Sequence, residues 1–290
     1  MAISAALVKQ LRERTGSGMM ECKKALVACD GDIDAAADLL RKQGVAKADK
    51  KAGRVAAEGL IGVASDESTV ALVEINCETD FVAKDQNFIG FVDAVVQAVL
   101  SAAPADMDAL HAADLPTGES VEAGRKALIA KIGENVNVRR FERVAVAGRT
   151  TGIYTHGARI VSVVVMANGD RRLARDIAMH VAASKPVCVN ESDVPAAMLA
   201  KEREIFAAQA ADSGKPPEIA AKMVEGRVQR FLKEVTLCGQ PFVKEPERTV
   251  AQLLTAADAE VIRFIRMEVG EGIEKKVENF ADEVMAQAGA

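Results

Sequence analysis

The order of short elements repeats in the two halves of the chain, and this repetition limits the fold more than any other feature of the sequence. In each half an apolar run of strand length precedes an amphipathic helix that ends before a proline. The runs are Val70–Ile75 and Ile160–Met166, the helices Gln86–Ser101 and Arg172–Ser184, and the closing strands Val136–Phe141 and Val261–Arg266. Because short strands need helices to cover their apolar faces, the pattern predicts two related antiparallel sheet-plus-helix subdomains, at residues 59–145 and 146–268.

A compact helical module is predicted before the first subdomain. Three short helical patterns occupy residues 3–43, separated by Thr15–Gly18 and by Asp30–Asp32, which end one helix and start the next. Gly44 has the position of a glycine that closes the third helix. We therefore expect a three-helix module at residues 1–44, an exposed basic linker at 45–58, and a further helical module at 269–290.

An antiparallel helical hairpin, residues 193–235, is inserted in the second subdomain. Two helical patterns, Ala196–Ala211 and Pro217–Val235, flank a break at Asp212–Pro216. Two sets of side chains are predicted to face each other: Met198, Ile205 and Ala208 from the first helix, and Ile219, Met223 and Phe231 from the second. The hairpin is expected to project as an arm that either forms a homodimer or clamps a partner. Together these elements predict an α+β fold.

The segment Thr79–Asp85, which connects the first central strand to its helix, carries an unusual pair of apolar residues. Phe81 and Val82 stand where turns normally hold polar side chains. Asp85 has the position of a helix N-cap, so the residues before it must lie outside the helix. Two interpretations stay open: the apolar pair forms a protrusion that enters another molecule, or Phe81 folds back onto its own core.

The composition favours a protein partner over nucleic acid. A formal net charge of −5 argues against phosphate binding, which needs clustered Lys and Arg. Aromatic residues make up only 3 % of the chain, with no Trp and one Tyr, so stacking platforms for single strands are missing as well. We therefore expect no direct nucleic-acid binding.

Catalytic and metal-binding patterns are also missing from the sequence. The histidines at 111, 156 and 180 lack metal-ligand spacing, and the five cysteines form no C-x-x-C pair. There is no phosphate-binding glycine motif, no signal-peptide pattern, and no apolar segment long enough to span a bilayer. We therefore expect a cytoplasmic protein that is not an enzyme, holds no cofactor or metal, and keeps its cysteines reduced.

Four motifs in the same order resemble the elongation factor Ts family along essentially the whole chain. They are Thr15–Leu26, Thr79–Asp85, Ile177–Pro186 and Phe264–Ile273. The resemblance implies an α+β protein with a UBA-like three-helix module, which acts as guanine-nucleotide exchange factor for elongation factor Tu in translation elongation. It also implies that the helical module and the C-terminal segment grip the nucleotide domain of this partner, while the second subdomain reaches another domain.

The same resemblance implies roles for particular residues. Those expected to enter the partner near its magnesium and phosphate site are Thr79, Asp80, Phe81 and Val82. Met19 and Met20 are implied to lie on the contact surface of the helical module, and His156 is a further contact candidate. The hypothesis is an exchange factor in which Phe81 displaces elements of the partner. The alternative is a protein-binding adaptor that uses the three-helix module without exchange activity.

Overall fold

The computed structural model describes residues 3–274, with side chains at all of these positions except 45–47 and 49. Two compact units are present: the first runs to Ala145 and resumes at Val269, and the second spans Val146–Glu268. Helices and antiparallel strands both build the chain, so the α+β prediction is confirmed. Most of the helical module predicted at 269–290, from residue 275 onwards, lies outside the described residues.

Three helices form the N-terminal module: α1 (Ala5–Thr15), α2 (Met19–Ala28) and α3 (Ile33–Lys51). The side chains of Ser4 and Asp32 cap α1 and α3 by accepting hydrogen bonds from backbone N–H groups of the first turn. Gly16 ends α1 in the left-handed conformation, with φ at +67°. The inward faces form a small core of Val8, Leu11, Cys22, Ala25, Leu26, Ala36 and Leu40.

The first sheet has three antiparallel strands in the order β1-β2-β3. Strands β1 (Glu58–Ser65) and β2 (Thr69–Cys77) form a hairpin, and β3 (Val136–Ala145) pairs with the other edge of β2. Because β2 is central, its residues from Val70 to Cys77 are all buried. Between β2 and β3 the chain forms α4 (Gln86–Ala102), α5 (Met107–Ala112) and α6 (Val121–Ile132).

Helix α4 covers this sheet with the apolar stripe predicted from its spacing. The predicted residues are all buried: Phe88, Phe91, Val92, Val95, Val96 and Val99. Helix α4 and the sheet approach closely at Gly62 of β1. A Cβ atom added to this glycine would lie only 2.8 Å from Cγ1 of Val92. The amphipathic pattern therefore identified both the helix and the face that it buries.

Helix α3 corrects the prediction that Gly44 closes the helix and that a linker covers 45–58. The helix continues to Lys51, so the first half of the predicted linker is helical. Gly44 is buried where α3 meets α6, and a Cβ atom added there would lie 2.9 Å from the Cβ of Ala130. The glycine therefore permits the close approach of two helices and does not end one.

The second unit repeats the arrangement of the first sheet. Its strands β4 (Thr150–His156), β5 (Ile160–Met166) and β8 (Val261–Glu268) are antiparallel in the order β4-β5-β8. Helix α7 (Arg171–Ser184) lies so close to β4 that a Cβ atom added to Gly152 would overlap the backbone of Ala174. As the repetition predicted, the buried central strand in each unit is followed by the helix that covers the sheet.

The helical hairpin forms at the predicted residues, as α8 (Ala196–Ala211) and α9 (Pro217–Val235). It is followed by β6 (Pro241–Phe242), β7 (Glu245–Thr249) and α10 (Val250–Ala256). The facing residues differ from the prediction, since the contact is made by Leu199, Phe206, Val224, Val228, Phe231 and Leu232. Met198, Ile205 and Ile219 are exposed instead. Of the predicted set only Phe231 lies in the contact, with its ring centroid 6.4 Å from that of Phe206.

Candidate functional site

The connection from β2 to α4 places Phe81 in solvent and Val82 in the core. Phe81 is 82 % exposed, whereas Val82 and Ala83 are buried in the apolar core of the first unit. The interpretation that Phe81 folds back onto its own core is therefore wrong. The expectation that Val82 shares the protrusion is corrected as well, because Val82 begins a 3₁₀ turn, Val82–Lys84, and its side chain is covered by the core.

Local hydrogen bonds hold the C-terminal side of this connection. The backbone N–H of Lys84 donates to the carbonyl of Phe81 at 3.1 Å. Asp85 caps α4 as predicted, since its Oδ1 accepts from the backbone N–H of Asn87 at 2.8 Å and from that of Phe88 at 3.3 Å. A hydrogen bond from the Asn87 side chain is the main reason that the pKa of Asp85 lies below its ordinary value. The protruding residue is thus followed at once by rigid structure.

A carboxylate from a distant part of the chain holds the N-terminal side. Oε2 of Glu134 accepts from the backbone N–H groups of Glu78 and Thr79, at 3.1 and 3.0 Å. Its Oε1 accepts from the Thr79 hydroxyl at 2.7 Å. Sequence reasoning missed Glu134. The available signal was a polar residue in the short turn between α6 and the closing strand β3.

The turn that contains Glu134 also contacts the end of α3. Lys51 donates a hydrogen bond from Nζ to the carbonyl of Gly133. The Asn135 side chain donates to the carbonyl of Arg54 at 2.8 Å, while its backbone N–H donates to the Glu78 carboxylate at 2.6 Å. Residues from three separate parts of the sequence therefore meet at the base of the Phe81 connection.

Asp80 carries the negative charge beside Phe81 and forms an exposed ion pair. Its Oδ2 lies 2.7 Å from Nζ of Lys84, four residues further on, and the two side chains are 52 % and 74 % exposed. Ion pairs this exposed are weak, roughly 0–1 kcal/mol, because water screens both charges.

Glu74 is fully buried in β2 and fastens the returning C-terminal segment to the first sheet. Its carboxylate lies 3.0 Å from Nη1 of Arg139 and 2.5 Å from Nε of Arg140, and it accepts from the backbone N–H of Gly270 at 2.8 Å. Burial alone would raise the pKa of this carboxyl. The surrounding donors, Gly270 first among them, outweigh burial and hold the pKa of Glu74 below its ordinary value.

The predicted contact residues of the helical module are exposed on α2. Met19 and Met20 are 58 % and 63 % exposed, and Val27 on the same helix is 58 % exposed. Cys22 and Leu26, by contrast, belong to the core of the module. Helix α2 therefore presents apolar side chains to solvent as well as to its own core.

His156 lies in the second unit, at the exposed end of β4. Its ring is stacked on Tyr154, with the centroids 6.5 Å apart, and its Nδ1 lies 3.5 Å from the tyrosine hydroxyl. Met19, Met20 and Phe81 belong to the first unit, so His156 is the predicted site residue that falls in the other one.

Comparison with known proteins decides the family. The family model Elongation factor TS matches residues 78–271. Elongation factor Ts of Thioalkalivibrio sulfidiphilus is 64 % identical over 291 residues, covering 99 % of each chain. The protein of the same name from Alkalilimnicola ehrlichii is 59 % identical, with 99 % of each chain covered. That from Methylococcus capsulatus is 56 % identical, with 100 % of each chain covered. The chain belongs to the elongation factor Ts family.

Membership of the elongation factor Ts family confirms the resemblance carried by the four motifs. The protein is a translation elongation factor with an exchange-factor role in protein biosynthesis, and its implied partner is elongation factor Tu. The matched region begins at Glu78, the residue before Thr79, and therefore includes the Phe81 connection, Glu134 and His156.

A buried histidine and five free cysteines lie outside the Phe81 connection. His180 is fully buried and bonded to Gln240, and all five cysteines have free thiols. Within residues 3–274 no group of His, Cys, Asp and Glu side chains is arranged to hold a metal ion. Over the same residues, no helix combines the length and apolar character needed to cross a membrane.

Proposed function

We propose that this protein accelerates GDP release from elongation factor Tu by inserting Phe81 near the magnesium and phosphate site of that partner. The observation that carries the proposal is an 82 % exposed phenylalanine between two anchored residues. The anchors are Thr79, held by Glu134, and Asp85, which caps α4. An exposed aromatic ring on an anchored loop can enter a partner with little loss of chain entropy.

Phe81 by itself can supply only part of the required free energy. Burying one phenylalanine side chain contributes about 1.5–3 kcal/mol. A thousandfold faster release corresponds to about 4 kcal/mol, at roughly 1.4 kcal/mol for each tenfold change. The remainder must come from a wider interface that favours the nucleotide-free partner, because equal binding to both forms would shift nothing.

Asp80 supplies a negative charge beside Phe81. In the free protein its carboxylate is paired with Lys84 at 2.7 Å in an exposed position. On binding, the carboxylate exchanges Lys84 for groups that surround the magnesium ion and phosphates of the partner, and its charge disfavours the phosphates that remain. Thr79 positions this pair, while Val82 holds the loop from inside the core.

The exposed residues elsewhere act as anchors. Met19 and Met20 contribute apolar contact from α2, and His156 adds a contact from the second unit. The proposal places the protein in the cytoplasm, without direct nucleic-acid binding, without a catalytic step and without a cofactor of its own.

Phe81→Ala tests the proposal in a stopped-flow measurement of labelled GDP release from elongation factor Tu, at increasing concentrations of the factor. We expect the release rate at saturation to fall about 10- to 100-fold, from the burial free energy of the ring. The half-saturating concentration should change little, because the anchors remain. Ile262→Ala, which truncates another exposed apolar residue, is the control and should release GDP like the unaltered protein.

The adaptor alternative gives a different result in the same experiment. If the unaltered protein binds elongation factor Tu without accelerating release, the chain is an adaptor. If it accelerates release and Phe81→Ala does so equally well, the protein remains an exchange factor but the insertion mechanism is wrong.

A further inference from the structure

We infer that Glu134 is a positioning residue for the exchange loop, and that it holds Asp80 and Phe81 in their binding geometry before the partner arrives. The inference rests on the proposed function of this loop. Glu134 lies in a turn 55 residues away from Thr79 in sequence, yet its two carboxylate oxygens accept three hydrogen bonds from Glu78 and Thr79.

The hydrogen bonds at Thr79 extend the influence of this carboxylate across the loop. The Thr79 hydroxyl donates its hydrogen to Oε1 of Glu134 at 2.7 Å, and its oxygen accepts from the backbone N–H of Val82 at 3.3 Å. Asp80 and Phe81 are the two residues between Thr79 and Val82. The Glu134 carboxylate therefore orients the backbone before Asp80 directly, through the N–H of Thr79. It orients the backbone after Phe81 indirectly, through the Thr79 hydroxyl and the N–H of Val82.

Apolar packing does not hold the Phe81 ring, because the ring is 82 % exposed. Its direction depends on the backbone at Asp80 and Phe81, and the polar contacts at the base of the loop order that backbone. Ionised carboxylates are strong acceptors for backbone N–H groups. The result is a loop that is already ordered when it meets its partner, which reduces the entropy lost on binding.

A second set of bonds steadies the Glu134 turn itself. The Glu78 carboxylate accepts from the backbone N–H of Asn135 at 2.6 Å. In return, the Glu134 carboxylate accepts from the backbone N–H of Glu78, so the two segments are joined in both directions. Asn135 also donates to the carbonyl of Arg54, just beyond α3. The positioning contact is therefore a reciprocal pair fixed to the rest of the first unit.

Glu134→Gln tests the inference in the full-length protein by stopped-flow GDP release. Glutamine keeps the size of the side chain, but its amide nitrogen cannot accept a hydrogen bond, so donors at Glu78 or Thr79 lose their partner. We expect the release rate at saturation to fall about tenfold, with the half-saturating concentration changed less than about twofold. Glu122→Gln, at a half-buried acid of α6 that pairs with Arg125, is the matched control and should retain the saturating rate.

A double-mutant cycle separates positioning from general stability. Thr79→Val removes the hydroxyl that joins Glu134 to Val82, and it should lower the saturating rate by itself. In the Glu134→Gln background the same change should have a smaller effect, because the charged acceptor of the Thr79 hydroxyl is already gone. A merely structural role would show this coupling in the unfolding midpoint but would leave the saturating release rate of the folded proteins unchanged.

The outcomes distinguish this inference from the proposed function. If Phe81→Ala slows release while folded Glu134→Gln and Thr79→Val proteins retain the unaltered rate, the positioning role is overturned and the insertion mechanism stands. If Phe81→Ala has no effect, the insertion mechanism itself fails. If Glu134→Gln does not fold, Thr79→Val decides the question alone, and an unaltered rate overturns the inference.

Discussion

His180 shows at the scale of one residue how a histidine on a helix becomes part of a core. It is fully buried in α7, and its Nδ1 accepts from the backbone N–H of Val243 at 3.2 Å. Nε2 must therefore carry the hydrogen that is donated to Oε1 of Gln240 at 2.9 Å. Burial holds the pKa of His180 below its ordinary value, although the bond to Gln240 acts in the opposite direction. The neutral ring is the form that this core accommodates.

Acidification should therefore destabilise the second unit. The unfolded chain binds a proton at the ordinary histidine pKa, about 6.5, before the folded chain does. Stability that is fully present above this pH is lost as the pH falls through the lower pKa of the folded state. Denaturant unfolding between about pH 5 and 8 should show this loss, and His180→Gln should reduce it. The exposed His156→Gln control should retain it, and identical slopes for all three proteins would contradict the assignment.

At the scale of elements, the contact between α3 and α6 connects the helical module to the first sheet unit. Gly44 and Ala130 stand opposite each other at this contact, with space for hydrogen but not for a methyl group. Gly90, on the exposed side of α4, has nothing within 4 Å of an added Cβ atom. The two glycines are both helical, so they separate the effect of packing from that of helix propensity.

Gly90→Ala should stabilise the protein by about 0.5–1 kcal/mol, since alanine loses less entropy than glycine in a helix. Gly44→Ala gains the same propensity but overpacks the α3–α6 contact, which costs about 1–3 kcal/mol. We expect Gly44→Ala to be about 1 kcal/mol less stable than the unaltered protein in denaturant unfolding. A stabilised Gly44→Ala protein would show that α3 and α6 do not meet as described.

At the scale of the whole molecule, the hairpin α8–α9 leaves apolar side chains for another surface. Met198 and Ile205 are 37 % and 38 % exposed on α8, seven residues apart and therefore on one face, and Ile219 is 47 % exposed on α9. A homodimer through the hairpin, one of the two alternatives, would bury these residues against a second copy of the hairpin. The alternative, a clamp on elongation factor Tu, would leave the free protein a monomer.

Light scattering of the free protein should give the mass of two chains if the hairpin forms the homodimer. Ile205→Lys should then reduce the mass to that of one chain, because it places a charge in the apolar contact. Ile262→Lys, at an exposed position on β8, is the control and should leave the mass unchanged. The mass of a single chain at every concentration would contradict the homodimer and favour the clamp.

Features that depend on near neighbours could be predicted from the order of the amino acids. The limits of α8 and α9 follow from helical periodicity and from the break at Asp212–Pro216, and they agree with the structure. Asp85 caps α4 because its side chain reaches N–H groups two and three residues ahead. The repeated order of strands and helices and the family motifs can likewise be recognised in the amino-acid sequence.

Features that depend on residues far apart in the chain became visible only in the folded protein. A glycine pattern cannot show whether Gly44 ends a helix or faces another one, because Ala130 is distant in sequence. The same holds for the direction of Val82, which is set by the core around it, and for Glu134, which binds Thr79 across 55 residues. Local pattern therefore located Phe81 in a connecting turn, and long-range packing and hydrogen bonding directed it into solvent.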